Sequence, residues 1–188
     1  VMAIGPAGEK RVRYAALATY WKNREGVAGR GGIGAVLGAK NVKAVSVAGA
    51  RKTELADAAA LKALIEERRE PMTTGTKALS LYGTSFLVKP INTLGALGAY
   101  NLRQETFADA LTISGEEMHA RYHDRDTTCL KCPVACGKQY EIRDGELAGL
   151  KAKMPEYETI FAFGSMLGNA HAGSLTRAND LCDLLGLD

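Results

Sequence analysis

The sequence predicts an α+β chain, strands first and helices after, on three observations. Val12, Tyr14 and Ala16 alternate with Arg11, Arg13 and Ala15, the period-two pattern of a half-buried strand. After Arg51 the glycines and valines give way to helix formers with apolar residues at helical spacing. A composition of 46% hydrophobic and 24% charged residues is that of a packed globular chain rather than a disordered one. Strands grouped ahead of helices are the pattern of an α+β fold.

Taken in order, residues 10–17 are the first strand and 42–48 the second. Between them, residues 26–40 hold six of the 21 glycines, so this stretch is expected to be a loop whose backbone approaches something closely. A helix is predicted over 54–70, with Thr53 as N-cap, Leu55, Ala58, Leu61, Leu64, Ile65 and Arg68 at helical spacing, and Pro71 just past its end. Residues 73–101, broken by Gly75, Gly83, Pro90, Gly95 and Gly98, predict short helices and loops. Ser114 followed by Glu117 has the form of a capping box and starts a helix running to Tyr122. Two further helices are predicted at 157–167 and 174–185, the latter with Leu175, Ala178, Leu181 and Leu185 on one face. The texture changes near residue 50, giving expected domains 1–50 and 51–188. Both ends read as chain interior, so a segment of a longer protein is expected.

With 24 Lys plus Arg against 21 Asp plus Glu, the formal charge is +3, too small to call for a nucleic acid or an anionic membrane surface. Charged residues interrupt every apolar run well before the roughly 18 residues that cross a bilayer, and the start lacks a signal peptide's pattern. A soluble protein, without membrane or nucleic-acid partners, is expected.

Three of the four cysteines, Cys129, Cys132 and Cys136, fall in a C-x2-C-x3-C pattern. Thiolates this close converge on one object when the backbone curls around it, as around an iron-sulfur cluster. Buried structural cysteines or a partial disulfide are the plain alternatives. Zinc is the chemical rival, but only one Cys pair has its usual spacing; His119 and His123, at i and i+4, could be recruited or could simply form a solvated face. Radical S-adenosylmethionine enzymes space their cysteines in the opposite order. Pro133 after Cys132 suits a tight cluster turn. Cys182 reads as a small core residue on a helix, which leaves a fourth cluster ligand outside this sequence.

Gly29, Gly31 and Gly34 formally match the G-x-G-x-x-G dinucleotide fingerprint, with Glu54 20 residues further on. That fingerprint must follow a buried parallel strand, and Trp21, Lys22, Asn23, Arg24 and Glu25 are too polar for one. A glycine loop carrying Arg30 and Lys40 still suits an anion, since backbone N–H groups and a guanidinium both meet phosphate oxygens.

Six motifs in order then carry a resemblance over essentially the whole chain. These are GPAGE at 5–9, AGRGGIGAVLGAKNVKA at 28–44, TLGAL at 93–97 with Tyr100 and Asn101, CLKCPVAC at 129–136, PEYET at 155–159 and DLLGLD at 183–188. Together they resemble the tungsten-dependent aldehyde:ferredoxin oxidoreductase family, with Gly98 standing where that family usually has proline.

The resemblance implies the end of an N-terminal β domain cradling a tungsten (or molybdenum) bis-pterin, followed by the start of a largely α-helical domain. It implies a 4Fe-4S cluster on Cys129, Cys132 and Cys136. Arg30, Gly31 and Gly32 would lie against the pterin phosphates and their bridging Mg2+, and Asp183, Gly186, Leu187 and Asp188 would contact a pterin. The family's second D-x-x-G-L-C motif, which supplies the fourth cluster thiolate, is absent. The implied reaction oxidises a small aldehyde with water as oxygen source and passes electrons to ferredoxin or another electron-transfer subunit; a homodimer is among the assemblies allowed. Glu158 and then Glu156 are the candidate general acid/base groups, because burial raises a carboxyl toward working pH. At a helix start, however, a glutamate also stabilises the dipole without any chemistry. A low-potential reductase subunit of the benzoyl-coenzyme A type, on the same fold, is one alternative, and a zinc or iron-sulfur electron-transfer module is another. Cluster thiolates require a reducing compartment, so a cytoplasmic, anaerobic setting is expected.

Overall fold

In the computed structural model, which describes residues 1–21, 24–51 and 53–188, the short strand β1 (Met2–Ile4) organises the first unit. It pairs antiparallel with β2 (Leu17–Trp21), Met2 opposite Thr19 and Ile4 opposite Leu17, and on its other side with β4 (Ala44–Val45). Strand β3 (Arg24–Ala28) extends the sheet beyond β2, in the order β3-β2-β1-β4. Helix α1 (Pro6–Glu9) begins with proline, whose fixed φ suits a helix start, and α2 (Ile33–Ala39) packs on it. Apart from Ile4, the buried apolar residues described in this unit are alanines, Ala7, Ala15 and Ala16, so close backbone packing more than large side chains closes it.

The first half of the chain corrects several expectations. The expected strand over 10–17 is a turn followed by a single bridge at Ala15, and the strand proper starts at Leu17. The second strand shrinks to Ala44–Val45. The stretch 26–40 is not one loop, because β3 runs through Ala28 and α2 follows after four residues. Alternation finds strands only where one face is wet, and glycine spacing hides a helix whose glycines serve packing rather than propensity.

Helix α3 (Ala58–Gly75) starts on Asp57, not Thr53: the Ala60 amide donates to Asp57 Oδ1 at 2.8 Å. It carries Pro71 within its length rather than beyond its end and buries none of its residues.

Contacts divide the chain into Val1–Thr76 with Cys182–Asp188, and Lys77–Leu181. The domains expected at 1–50 and 51–188 are a division by sequence, which this grouping by contacts does not decide.

The second unit is mostly helical. The expected short pieces are α4 (Lys77–Tyr82), a 3-10 turn at Gly83–Leu87 and α5 (Val88–Thr93). Asn92 copies a backbone pairing, accepting from the Phe107 amide at 2.8 Å and donating to its carbonyl at 3.2 Å, which holds the loop 94–106 closed. Helix α6 (Gly115–Tyr122) starts as expected, with the Glu117 amide donating to Ser114 Oγ. A three-stranded antiparallel sheet follows, β5 (His123–Thr127), β6 (Gly137–Glu141) and β7 (Lys151–Lys153), with β6 in the middle. Helices α7 (Tyr157–Phe163) and α8 (Ala172–Leu185) complete the chain. Leu97, Phe107, Ile113, Met118, Tyr122, Tyr140, Ile142, Met154, Ile160 and Leu175 form one buried cluster, each large apolar side chain contributing about 1.5–3 kcal/mol by leaving water. The face predicted on α8 splits, with Leu175 buried and Leu181 and Leu185 exposed. The fold is α+β, as the sequence predicts.

Candidate functional site

Within the first unit, two segments far apart in sequence meet. The Ala16 amide donates to the Gly186 carbonyl at 2.8 Å, the Asp188 amide to the Tyr14 carbonyl at 3.0 Å, and Ala15 bridges Leu187. Gly186 adopts φ 72°, and a Cβ on it would lie 2.8 Å from the Gly5 nitrogen; a Cβ on Gly5 would lie 2.4 Å from the Leu185 carbonyl oxygen. Only glycine allows backbones this close in that conformation. The first glycine of GPAGE and the glycine of DLLGLD are thus two sides of one contact.

The glycine loop lies against the same segment. A Cβ on Gly29 would fall 2.3 Å from Asp188 Oδ1, so the Asp188 carboxylate occupies the space a side chain would take. Arg30 and Gly31 are exposed, Gly31 and Gly32 have positive φ, and a Cβ on Gly31 would meet nothing within 4 Å. The geometry brings Arg30, Gly31, Gly32, Gly186, Leu187 and Asp188 to one end of the unit, with Asp183 in the last turns of α8. Strand β3 precedes this loop, but it is antiparallel to β2, so the reading that residues 21–25 are no buried parallel strand stands for those described; Lys22 and Asn23 lie outside the described residues. Every pairing of this sheet among the described residues is antiparallel, so they hold no parallel unit of the kind a dinucleotide fingerprint needs. Cys182 is half-buried; burial first, then the charges of Asp183 and Asp188, push its thiol above the ordinary range.

In the second unit the three clustered cysteines occupy the loop joining β5 to β6. Lys131 and Ala135 have left-handed φ of 59° and 51°, and the Cys132 amide donates to the Cys129 carbonyl at 3.0 Å. The loop therefore curls back on itself twice within eight residues. Thr128 Oγ1 donates to the Cys132 carbonyl at 2.9 Å. Cys129 is exposed, Cys132 and Cys136 half-buried, and no disulfide joins any of the four cysteines. Among the described residues no group of three or more His, Cys, Asp or Glu side chains is drawn together tightly enough to hold a metal. The donor chemistry, three thiols in one curled loop, suits an iron-sulfur cluster; their convergence on it is not displayed.

His119 and His123 do not form a solvated face. Their rings stack at 4.2 Å, and His119 meets Tyr82 edge-on. Burial, then the charges of His123 and Lys138, lower the His119 pKa.

Glu156 caps α7 and its carboxylate accepts a hydrogen bond from the Thr84 hydroxyl, which in turn accepts from the Tyr157 amide at 2.9 Å. Glu158 stands in the first turn of α7, exposed, without the burial on which its candidacy as an acid/base group rests. Two residues escape sequence reasoning here. Thr84 sits in a segment read only loosely, and Lys138 looks like any surface lysine in a strand although it is 1% exposed. No helix among the described residues is long and apolar enough to cross a membrane.

Comparison with known proteins defines the class. A family model described as "Aldehyde ferredoxin oxidoreductase, N-terminal domain" matches residues 1–49, and one described as "Aldehyde ferredoxin oxidoreductase, domains 2 & 3" matches residues 59–188. The chain belongs to the aldehyde ferredoxin oxidoreductase family. Among its relatives, proteins named tungsten-containing aldehyde ferredoxin oxidoreductase from Pyrococcus horikoshii and Pyrococcus furiosus are 39% and 38% identical over the whole of this chain. A protein named aliphatic sulfonate oxidoreductase, WOR-like subunit, from Pyrococcus furiosus is 31% identical over 98% of it. The chain spans about 30% of the length of these relatives.

Proposed function

We propose that this chain supplies one wall of a tungsten (or molybdenum) bis-pterin site and three of the four thiolates of a 4Fe-4S cluster in an enzyme that oxidises aldehydes. The observation that carries the reading is the meeting of the glycine loop with residues 183–188. Two motifs that the family resemblance assigns to one cofactor, and that sequence separates by about 150 residues, lie side by side: residues 14–16 hold Gly186 and Asp188 by backbone hydrogen bonds, the Gly34 amide donates to the Ala15 carbonyl, and the Asp188 carboxylate fills the space beside Gly29.

When bound, the pterin metal supplies the two-electron oxidation of the aldehyde carbon with water as oxygen source, and the cluster supplies one-electron transfer toward ferredoxin. The residues of this chain do the rest. Arg30 brings a guanidinium beside bare glycine N–H groups, a combination suited to phosphate oxygens, and an Mg2+ held there would take oxygen ligands, phosphate among them. Asp183 and Asp188 offer carboxylate acceptors to ring N–H donors, each such bond worth roughly 1.5–3 kcal/mol. Gly186 and Leu187 contribute backbone to the same wall. Cys129, Cys132 and Cys136 hold iron as thiolates. Glu158 moves a proton at its carboxylate, and Glu156, tied to Thr84, serves as the second candidate.

An aldehyde substrate is favoured over the sulfonate named for the WOR-like relative, because identity to the aldehyde enzymes is 39% against 31%. The cytoplasm suits the reduced thiols. The test is anaerobic purification of the full-length protein, metal analysis and aldehyde-dependent reduction of a viologen dye. Tungsten or molybdenum with about four irons and activity on small aldehydes is expected. The same metals without aldehyde oxidation would point to the low-potential reductase, and zinc alone to a structural module.

A further inference from the structure

We infer that Lys138 is a positioning residue for the cysteine loop, which clamps the Cys136 end of that loop and holds a fixed positive charge beside the cluster, keeping its reduction potential up. The inference rests on the cluster reading above and adds a residue to it.

Lys138 is 1% exposed, although its neighbours in sequence lie at the mouth of a loop. Its ammonium donates to the Ser80 carbonyl at 2.6 Å, the Ala135 carbonyl at 2.7 Å and the Gly137 carbonyl at 3.4 Å, and pairs with Asp126 Oδ1 at 3.1 Å. An ammonium has three donors, and here they join three chain segments: α4, the last residues before β6, and β5. Ala135 and Gly137 flank Cys136, so the clamp grips the backbone on both sides of that thiol. A buried charge is kept only where it is paired and hydrogen-bonded, and removing one partner of such a set is strongly destabilising.

The electrostatic consequence follows from what a cluster is. Four thiolates and their iron carry net negative charge, and taking up one electron makes it more negative, so a nearby fixed cation favours the reduced form. Lys138 gains and loses nothing in the step; it biases a one-electron couple. Asp126 opposes it from the partly exposed side, sharing its carboxylate between Lys138 and His123 Nε2 at 2.9 Å. Burial raises the Asp126 pKa, but the bonds from His123 and Lys138 outweigh that and leave it lowered, so the carboxylate is charged at neutral pH.

The experiment is a redox titration of the full-length protein, purified anaerobically, with iron content and the reduced cluster's EPR signal as readouts. In Lys138→Met that retains iron, the midpoint falls, leaving on the order of tenfold less reduced cluster at a fixed potential. Lys138→Arg, which keeps the charge, falls less. Asp126→Asn, which keeps Lys138 and removes its counter-charge, moves the midpoint upward. Full iron with an unmoved midpoint in Lys138→Met overturns the inference. Should that variant lose iron, Asp126→Asn decides: a raised midpoint supports the assignment and an unmoved or lowered one overturns it. A wild-type protein without iron defeats the cluster reading itself, and the inference with it, before any variant is made.

Discussion

At the scale of single residues, the two proposed cofactor sites make separable demands. Cys129→Ser, Cys132→Ser or Cys136→Ser in the full-length protein is expected to lower bound iron and abolish electron transfer to a viologen. Cys182→Ala is expected to leave iron unchanged, because that thiol sits half-buried in α8, in the first compact unit, whereas the three clustered cysteines belong to the second; atomic absorption on the four proteins checks this. At Gly29 an added methyl collides with the Asp188 carboxylate, the movable end of a side chain, so Gly29→Ala displaces a proposed pterin contact without unfolding the unit. Retained tungsten, measured after gel filtration, should fall in Gly29→Ala and in Arg30→Ala; full occupancy in both would remove the loop from the pterin site. Glu158→Gln should lower kcat about 10²–10⁴-fold with metal retained. Glu156→Gln should have a smaller effect, since its carboxylate already accepts the Thr84 hydroxyl.

Secondary-structure elements carry their own tests. The Asp57 cap on α3 is exposed and local, so Asp57→Ala should cost about 1 kcal/mol and appear as faster amide exchange in the first turn of α3. Asp144 ties the β6–β7 connection to α6. Its carboxylate accepts from the Arg121 guanidinium at 2.5 Å and from the Tyr122 hydroxyl at 3.0 Å. Arg121 first, and Tyr122 next, hold this carboxyl below its ordinary 3.8, while burial first and then Asp144 push the Tyr122 hydroxyl up to about 12. A carboxyl whose pKa is depressed by folding contributes stability above its unfolded value and loses it as pH falls through the folded one. Asp144→Asn should therefore lower Tm at pH 7, and the gap to wild type should close on acidification below pH 3.8; a gap that persisted at low pH would assign the loss to packing.

For the whole molecule, the order of motifs carried more than local propensity did. The capping box at Ser114 is legible from its Ser-x-x-Glu spacing, and the helices α7 and α8 from apolar residues at helical spacing, although on the face predicted for α8 Leu175 is buried while Leu181 and Leu185 are exposed. Helix α2 is not, since IGAVLGA has no polar face and its glycines are there to meet α1. Strand β3 escapes because its sequence REGVA carries no apolar alternation. The cysteine loop and the DLLGLD segment announce themselves by residue type, whereas their neighbours do not. Nothing in the string GKQYE says that Lys138 is buried, because a lysine signals its environment only through partners brought by distant segments such as Ser80. Likewise Thr84 acquires its role only when Glu156 and Tyr157 arrive beside it.

The contact between Gly29 and Asp188 sets an order of events during synthesis. The glycine loop leaves the ribosome first and gains its opposite wall only after a further 159 residues have been made. A nascent chain halted anywhere between them presents half a cradle, so a group that needs both walls can be gripped only after translation has passed Asp188.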